Sequence, residues 1–161
     1  MKMIQRKQGD LLKSGAEALV NAVNTAGVMG KGIALQFKRA FPGNYSAYRA
    51  ACRQGEVQLG KMFVFHLSAS TNPRIIINFP TKKHWQGKSH IEDIDSGLLS
   101  LIDVVKAERI GSIAIPALGC GHGGLDWNQV RLRIEGAFAK VPHVIVHLFC
   151  PERPRAIGSP G

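Results

Sequence analysis

The stretch VNAVNTAGVMGKGIALQF, which runs from Val20 to Phe37, decides how the rest of the chain is arranged. It predicts the end of a buried strand, a loop that Gly27, Gly30 and Gly32 keep open, and then a helix. Glycine lets backbone N–H groups come close to a ligand because it has no Cβ, and the start of a helix favours an anion. The pattern is typical of an anion-binding loop, but an ordinary tight turn between strand and helix also fits it.

Two asparagines, Asn21 and Asn24, lie at the end of the predicted strand. Their side-chain amides both donate and accept hydrogen bonds, so we expect them either to contact a ligand or to support the loop. The spacing GxxxxGK[ST] does not occur in the stretch, which excludes a P-loop.

Composition limits the class of protein. The chain has 161 residues, enough for one domain with a substantial core, and its 45% apolar and 20% charged residues are typical of a soluble globular protein. No apolar run approaches the roughly 20 residues that a membrane helix needs, and the opening MKMIQRKQGD lacks the apolar stretch of a signal peptide. The cysteines Cys52, Cys120 and Cys150 form no CxxC pair, which argues against a disulfide framework or a zinc site and indicates a cytoplasmic protein.

The charge balance indicates a polyanionic partner. The 21 Lys and Arg against 11 Asp and Glu give a formal net charge of +10, and the sequence pI is about 10.0. A field of this sign attracts nucleic acids or phosphate-rich ligands. A solvated basic surface without a partner is the alternative.

Strands and helices alternate along the chain, which predicts an α/β fold with helices on both faces of a sheet. Predicted strands occupy residues 3–8, 16–23, 62–67, 74–79, 112–116 and 143–149. Predicted helices occupy residues 33–40, 44–52, 91–105 and 126–138. The third and fourth strands are joined by the turn-rich SASTNP, so part of the sheet is expected to be antiparallel. We expect one domain, residues 1–150, and a flexible tail, residues 151–161.

Three polar residues are expected to cap helices. Asn44 precedes the second predicted helix, Ser89 has the spacing of a capping box with Glu92, and Asp126 precedes the last helix.

A second glycine cluster, GCGHGG at 119–124, follows a short apolar strand. Ligands of open α/β sheets bind at the carboxyl ends of strands, so the two glycine loops form the walls of one cleft if their strands are neighbours. Each wall would offer backbone N–H groups and a following helix start, which suits a diphosphate. Two unrelated tight turns are the alternative.

The segment NFPTKKHW, residues 78–85, also leaves a predicted strand and is expected at the same end of the sheet. Crowded positive charges would lower the pKa of one of its lysines, which would supply an amine nucleophile. His84 and Trp85 are candidates for a proton carrier and a stacking platform, although solvated lysines and simple packing would give the same pattern. Cys120, in the second glycine cluster, is expected to be a buried thiol rather than a nucleophile.

Together these motifs resemble the macrodomain family. Gly9-Asp10-Leu11, the strand ALVNAVN at 18–24 and the first glycine loop are similar to the opening signature of that family, and PALGCG at 116–121 is similar to its second phosphate loop. Within the family, VNTAGVMGKGIALQFK, NFPTKKHW and GCGHGGLDW most resemble the DarG antitoxins. The resemblance covers about residues 3–149 and implies a three-layer α/β/α sandwich with a central mixed, mostly parallel sheet.

The resemblance also implies a site for ADP-ribose at the top of the sheet. Asp10 would accept a hydrogen bond from the adenine amino group, Phe149 would face the adenine ring, and Asn24 would hold the distal ribose. The other ligand contacts that it implies are Leu11, Asn21, Gly30, Lys31, Gly32, Ile33 and Thr81, with Gly119, Cys120, Gly121, His122 and Gly123 around the diphosphate. It implies no cofactor and no metal ion.

The activity implied by the resemblance is removal of ADP-ribose from thymine bases of single-stranded DNA, which reverses a DarT-type toxin. Lys82 would attack the anomeric carbon of the distal ribose, and Lys83, His84 and Trp85 are candidate DNA contacts. The terminal ADP-ribose glycohydrolase of vertebrates, which shares a branch of the family with the DarG antitoxins, has an aspartate where His122 stands here, so the resemblance implies that His122 or the substrate itself would move the proton.

Two other functions remain compatible with the sequence. One is a module that binds ADP-ribose without cleaving it, and the other is a hydrolase of protein-linked ADP-ribose or of a small ADP-ribose ester. The charge of +10 favours DNA as the substrate. The expected partners are ADP-ribose, ADP-ribosylated single-stranded DNA and a cognate DarT-type toxin, and we expect a monomer that does not contact a membrane.

Overall fold

The fold is described from a computed structural model, which covers residues 3–151. Of the predicted tail, 151–161, only Pro151 falls within that range, and the remainder lies outside the described residues.

Within residues 3–151, six strands and four α-helices alternate as the sequence predicts. The strands are β1 (Ile4–Lys7), β2 (Ala18–Asn24), β3 (Phe63–His66), β4 (Ile75–Lys82), β5 (Ser112–Ile115) and β6 (Ile145–Phe149). The helices are α1 (Gly32–Ala40), α2 (Pro42–Arg53), α3 (Ile91–Ala107) and α4 (Trp127–Phe138), and one turn of 3-10 helix covers Leu11–Lys13. None of the helices described is both long enough and apolar enough to span a bilayer.

The strands form one sheet in the order β1-β6-β5-β2-β4-β3. All neighbouring pairs are parallel except β3 with β4, which is antiparallel. The mixed, mostly parallel sheet is therefore confirmed.

Helices cover both faces of the sheet because the strand side chains alternate between two apolar clusters. Ile75 and Ile77 of β4 belong to the cluster that also contains the inner sides of α3 and α4. Ile76 lies in the other cluster, with Phe37 of α1, and Tyr48 of α2 packs with Val23 nearby. The expected three-layer sandwich is confirmed.

Strand β4 extends beyond its predicted end at residue 79. Val23 pairs with Pro80 and Asn24 with Lys82, so the register shifts and Thr81 is left without a partner on β2. Proline cannot donate to a sheet and is tolerated inside one at such irregularities, which agrees with the position of Pro80 beside the shift. The shift makes Lys82 the last residue of the strand.

Two of the three predicted caps are wrong. Helix α2 begins at Pro42, with Phe41 in the capping position, because proline suits the first position of a helix. Asn44 is instead buried and exchanges side-chain hydrogen bonds of 2.8 and 3.2 Å with Asn78. Helix α3 is preceded by His90 and has no side-chain cap, so Ser89 does not form a capping box.

The third cap is confirmed, since Asp126 accepts a hydrogen bond of 3.0 Å from the N–H of Gln129 at the start of α4.

The chain leaves three strands at the same edge of the sheet. β2 pairs in parallel with both β4 and β5, so their carboxyl ends lie side by side. The segments 25–31 and 116–126, which leave the ends of β2 and β5, contain the two glycine loops. The segment 83–90, which we call the basic segment, leaves the end of β4.

Two glycines on helices offer opposite tests of the packing. Gly97 of α3 lies against the buried ring of Phe79, and a Cβ on Gly97 would overlap that ring. We expect Gly97→Ala to lower the free energy of unfolding by about 1–3 kcal/mol, the usual effect of overpacking. Gly136→Ala on α4 is the control, because its Cβ would meet nothing within 4 Å, and it should raise stability by up to about 1 kcal/mol. Urea titration measures both, and equal effects would contradict the packing described.

Candidate functional site

A cleft of two connected compartments lies at the carboxyl edge of the sheet. The larger compartment has a volume of about 560 Å³, and the smaller has a volume of about 320 Å³. Both are lined by Ala22, Lys31, Ala34, Lys82 and His122. Because residues of both glycine loops line the larger compartment, the expectation of one cleft with two glycine walls is confirmed.

Asn24 holds the first glycine loop in shape. Its Oδ1 accepts hydrogen bonds from the N–H groups of Ala26 (3.0 Å) and Val28 (3.3 Å), and its Nδ2 donates to the carbonyl of Val28 (2.8 Å). Asn24 also lines the smaller compartment. Both roles proposed from the sequence therefore remain: loop support is observed, and contact with a ligand stays a prediction.

Tyr48 supports Asn24 through hydrogen bonds that the sequence analysis did not predict. The Tyr48 hydroxyl lies 2.7 Å from the backbone oxygen of Asn24 and 2.9 Å from its Oδ1. Burial raises the pKa of Tyr48 above its ordinary value, so the hydroxyl keeps its proton and remains a donor. In the sequence, Tyr48 is only an apolar position on a helix.

Helix α1 begins in the first wall of the cleft. Its capping residue, Lys31, makes no side-chain hydrogen bond to the first turn, so no side chain of the cap competes with an anion there. Gly32 has a φ of +55°, a conformation that glycine adopts most readily. Gly30, Lys31 and Gly32 all line the cleft.

The second wall runs from Gly119 to Gly123, and all five residues line the larger compartment. Gly119 has a φ of +73°, and a Cβ there would lie 2.8 Å from Leu125 Cδ1. Glycine is required at this turn for both reasons. The helix after this wall is not available to a ligand, because Asp126 already caps it, so the expected helix start exists only at the first wall.

Ser89 ties the basic segment to the second wall. Its N–H donates to the carbonyl of Gly123 at 3.0 Å, and a Cβ on Gly123 would overlap Ser89 Oγ. That Oγ is buried without a hydrogen-bond partner among the residues described. In a sequence, a serine just before a helix predicts a helix cap, so only the structure reveals that Ser89 packs against Gly123.

Lys82 lies where the two compartments join. Its side chain lines both of them, and its Nζ donates to the carbonyl of Trp85 at 3.1 Å. Thr81, which also lines the larger compartment, donates through Oγ1 to the carbonyl of Val23 at 3.3 Å. The end of β4 is thus fixed to β2, and the amine of Lys82 is held above the cleft.

The pKa of Lys82 is lowered, as the sequence predicted, but mainly for another reason. Burial is the largest cause, and the positive charges of Lys88 and Lys31 lower the pKa further. The neighbour in the TKK run, Lys83, is not among these causes. A lowered pKa increases the fraction of the neutral amine, which is the nucleophilic form.

Cys120 is not an activated nucleophile. Burial raises its pKa to about 11, and the nearby charge of Asp126 adds to the effect. Its Sγ lies 3.5 Å from the carbonyl of Leu118. The sequence predicted a buried thiol that is not a nucleophile; the raised pKa agrees with this, although the side chain is only half-buried.

Part of the lining of the larger compartment is apolar. Leu11, Ile33 and Phe149 pack in one cluster and line it. Asp10 is exposed and does not line the larger compartment. Its Oδ1 accepts a hydrogen bond of 3.0 Å from the N–H of Leu12. A contact between Asp10 and an adenine amino group stays a prediction.

Three other predicted site residues do not line the cleft. Asn21 is fully buried beneath the first loop and donates to Asn78 Oδ1 at 3.3 Å. The prediction of a direct ligand contact is therefore wrong for Asn21, because strand alternation turns its side chain inward. Lys83 and His84 are exposed and line neither compartment, whereas Trp85 lines the smaller one.

Ala22 and Ala34 form part of the floor of the cleft and were missed. Small apolar side chains have no chemical signature in a sequence, although they leave room for a ligand. Among residues 3–151, no group of three or more His, Cys, Asp and Glu is arranged to hold a metal ion.

The chain is similar to known proteins over most of its length. A family model described as Macro domain matches residues 20–134. A relative from Mycobacterium tuberculosis, named DNA ADP-ribosyl glycohydrolase, is 52% identical over 149 residues, which are 92% of this chain and 42% of that protein. The chain therefore spans less than half the length of this relative.

Two solved structures are also similar. The macrodomain of Mycobacterium tuberculosis DarG has a TM-score of 0.92 and 51% identity, covering 94% of this chain and 100% of the other. Thermosipho africanus DarTG in complex with ADP-ribose has a TM-score of 0.86 and 35% identity, covering 95% of this chain and 43% of the other.

The hydrogen bonds of Asn24 can be tested without a ligand. Asn24→Ala leaves the N–H groups of Ala26 and Val28 without their acceptor, so we expect a loss of about 1–3 kcal/mol in the free energy of unfolding. Amide hydrogen exchange at Ala26 and Val28 should also become faster. Thr25→Ala is the control, because its exposed hydroxyl makes one hydrogen bond to Lys83, and it should change stability by about 0.5 kcal/mol or less. Unchanged exchange in Asn24→Ala would rule out the support described.

Proposed function

This chain belongs to the macrodomain family, and we propose that it is a DNA ADP-ribosyl glycohydrolase of the DarG type. It would hydrolyse the N-glycosyl bond between ADP-ribose and a thymine base of single-stranded DNA, which reverses the action of a DarT-type toxin. The observation that carries the proposal is Lys82, which lines both compartments of the cleft and has a lowered pKa. A module that only binds ADP-ribose needs the glycine walls but no such amine.

The two compartments match the two halves of the substrate. In our proposal the adenosine lies in the larger compartment, with its base against Phe149 and its amino group near Asp10. The diphosphate lies along Gly119–Gly123 and the start of α1, where backbone N–H groups and the helix dipole favour it. The distal ribose then reaches Lys82 and Asn24 in the smaller compartment.

Lys82 acts as the nucleophile in two stages. Its neutral Nζ attacks the anomeric carbon of the distal ribose while the bond to thymine breaks, and the bonding electrons go to the thymine nitrogen, which takes a proton. The attached amine loses a proton and its lone pair then opens the ribose ring, giving an imine and a protonated ring oxygen. Water hydrolyses the imine, so that one water is consumed and free ADP-ribose and lysine are released.

His122 is our candidate for the group that carries the proton to the departing thymine. It lines both compartments, as Lys82 does, and histidine is well suited to proton transfer near neutral pH. Asp126 is engaged in capping α4, which disfavours it for this role.

The DNA strand would leave the smaller compartment over the basic segment. Trp85 is 45% exposed at this compartment, and aromatic side chains stack on unpaired bases. Lys83 and His84 are exposed beside it and are proposed to contact the strand. We further propose that the protein acts as a cytoplasmic monomer, with a cognate DarT-type toxin as its partner.

Replacing the nucleophile tests the activity. We expect Lys82→Ala to lower the rate of ADP-ribose release from a modified oligonucleotide by about a thousandfold or more, while the Kd for free ADP-ribose changes by less than about threefold. Lys83→Ala is the matched control and should raise the KM for DNA without lowering kcat. Reduction with borohydride during turnover should leave ADP-ribose attached to Lys82, measured by peptide mass spectrometry.

Each alternative function has its own result in this experiment. Full turnover by Lys82→Ala would mean that the amine is not the nucleophile. Binding of ADP-ribose by the unaltered protein without any release would make the chain a reader of ADP-ribose. Release from modified protein but not from modified DNA would change the substrate class.

The pH dependence tests the cause of the lowered pKa. Because the neutral amine reacts, kcat/KM should rise with pH, and the midpoint of this rising limb should lie below the ordinary lysine pKa of about 10.4. Lys88→Gln removes a positive charge that lowers the pKa of Lys82, so the profile should move to higher pH and kcat/KM at pH 7 should fall. Lys61→Gln removes an exposed charge that is not among these causes and should leave the midpoint in place. If the midpoint of the profile moved to lower pH in Lys88→Gln, the charge of Lys88 would not be a cause of the lowered pKa of Lys82.

A further inference from the structure

A second cavity lies behind the first glycine loop, and we call it the basic pocket. It has a volume of about 360 Å³ and is lined by Ala26, Gly27, Val28, Met29, Gly30, Lys38, Tyr45, Arg49 and Arg53. None of these lining residues is acidic. Its three cations, Lys38, Arg49 and Arg53, have no part in the cleft described above.

The cations of the basic pocket come from two helices and lack acidic partners. Lys38 lies on α1, and Arg49 and Arg53 lie four residues apart on α2. No ion pair among the residues described involves any of the three, and Lys38 Nζ instead lies 4.6 Å from the centroid of the Tyr45 ring. Like charges at a spacing of four on a helix are unfavourable by themselves, so a bound anion would relieve a repulsion that the fold leaves in place.

The basic pocket and the cleft are separated only by the first glycine loop. Val28 and Gly30 line both the smaller compartment and the basic pocket. The loop is held rigidly by Asn24, so the distance between the two sites is fixed. A chain that enters one site can therefore reach the other by crossing Val28.

The surface along this path suits an unpaired nucleic-acid strand. Val28 is 37% exposed and Trp85 is 45% exposed, and both are at the smaller compartment. Exposed apolar and aromatic side chains contact bases, while cations contact the backbone, as in proteins that bind single strands. Arginine is especially suited to phosphate because its guanidinium donates two parallel hydrogen bonds.

We propose that the basic pocket binds backbone phosphates of the DNA strand beside the modified thymine. The inference rests on the proposed function, since the modified base must lie in the smaller compartment for the flanking strand to cross Val28. ADP-ribose is bound elsewhere, by the glycine walls, so the basic pocket adds affinity for the DNA and none for free ADP-ribose. It selects a modified strand over a modified mononucleotide.

The double variant Arg49→Gln/Arg53→Gln tests this assignment, because glutamine keeps part of each aliphatic stem and removes both charges. With an ADP-ribosylated single-stranded 12-mer in 150 mM NaCl, we expect the KM to rise about tenfold if two phosphate contacts are lost. The slope of log(1/KM) against log[NaCl] should become shallower by about 1.4, which is 0.7 per contact. The kcat, the Kd for ADP-ribose and the turnover of an ADP-ribosylated mononucleotide should not change.

The control is Lys61→Gln/Lys106→Gln, which removes the same charge at exposed positions outside the basic pocket. It should leave the KM within about twofold and the slope nearly unchanged. Equal losses in the two double variants would mean that only the net charge matters, and the proposal would be wrong. No change in either variant would overturn it as well.

A binding measurement separates this proposal from the proposed function. The fluorescence anisotropy of an unmodified, labelled 12-mer of thymidine needs no turnover, and its affinity should fall in Arg49→Gln/Arg53→Gln but not in the control. If the unaltered protein released no ADP-ribose but this difference were present, the activity would be wrong and the pocket would still bind DNA. If a polyglutamate peptide bound in an arginine-dependent manner and the oligonucleotide did not, the pocket would take an acidic protein segment, and our proposal would fail.

Discussion

Parallel pairing of β2 with β4 on one side and with β5 on the other brings three segments of the chain to one edge of the sheet. Backbone hydrogen bonds fix these strands in register, so the two glycine loops and the basic segment cannot separate without breaking the centre of the sheet. All strand residues from Ala18 to Val20 and from Ile75 to Ile77 are essentially inaccessible to solvent. The site therefore depends on the most stable part of the fold, while its walls are loops free of regular pairing.

Two groups of buried hydrogen bonds support the first wall, and helix α2 contributes a side chain to each of them. Asn78 in β4 is hydrogen-bonded to Asn44 in α2, and α2 also carries Tyr48, whose hydroxyl lies against Asn24. A hydrogen bond between buried polar groups fixes one arrangement, because leaving either group without a partner in the dry interior is costly. The position of α2 is thereby tied to the conformation of the glycine loop. The same helix carries Arg49 and Arg53, so the cleft and the basic pocket share one rigid support.

The sequence predicted most of the fold because the hydrophobic periods are strong and the glycine clusters follow buried strands. It failed where a tertiary contact replaced a local preference. Asn44 pairs with Asn78 instead of capping a helix, and Ser89 packs against the second wall. The fourth strand was predicted to end at residue 79, although a shift in register lets it continue to Lys82. Such contacts join residues far apart in the chain, and neither periodicity nor spacing carries information about them.

Charge and geometry have different tasks in the proposed enzyme. The net charge of +10 attracts any polyanion and weakens with added salt, so it cannot distinguish modified from unmodified DNA. The backbone N–H groups of the glycine walls are uncharged donors in fixed positions, and in our proposal they would recognise the diphosphate that only the modified strand carries. Burial is the largest single cause of the lowered pKa of Lys82, and salt does not screen it, so the proposed nucleophile would keep that part of its activation at high salt. A protein built in this way gains its speed of encounter from charge and its selectivity from the rigid cleft.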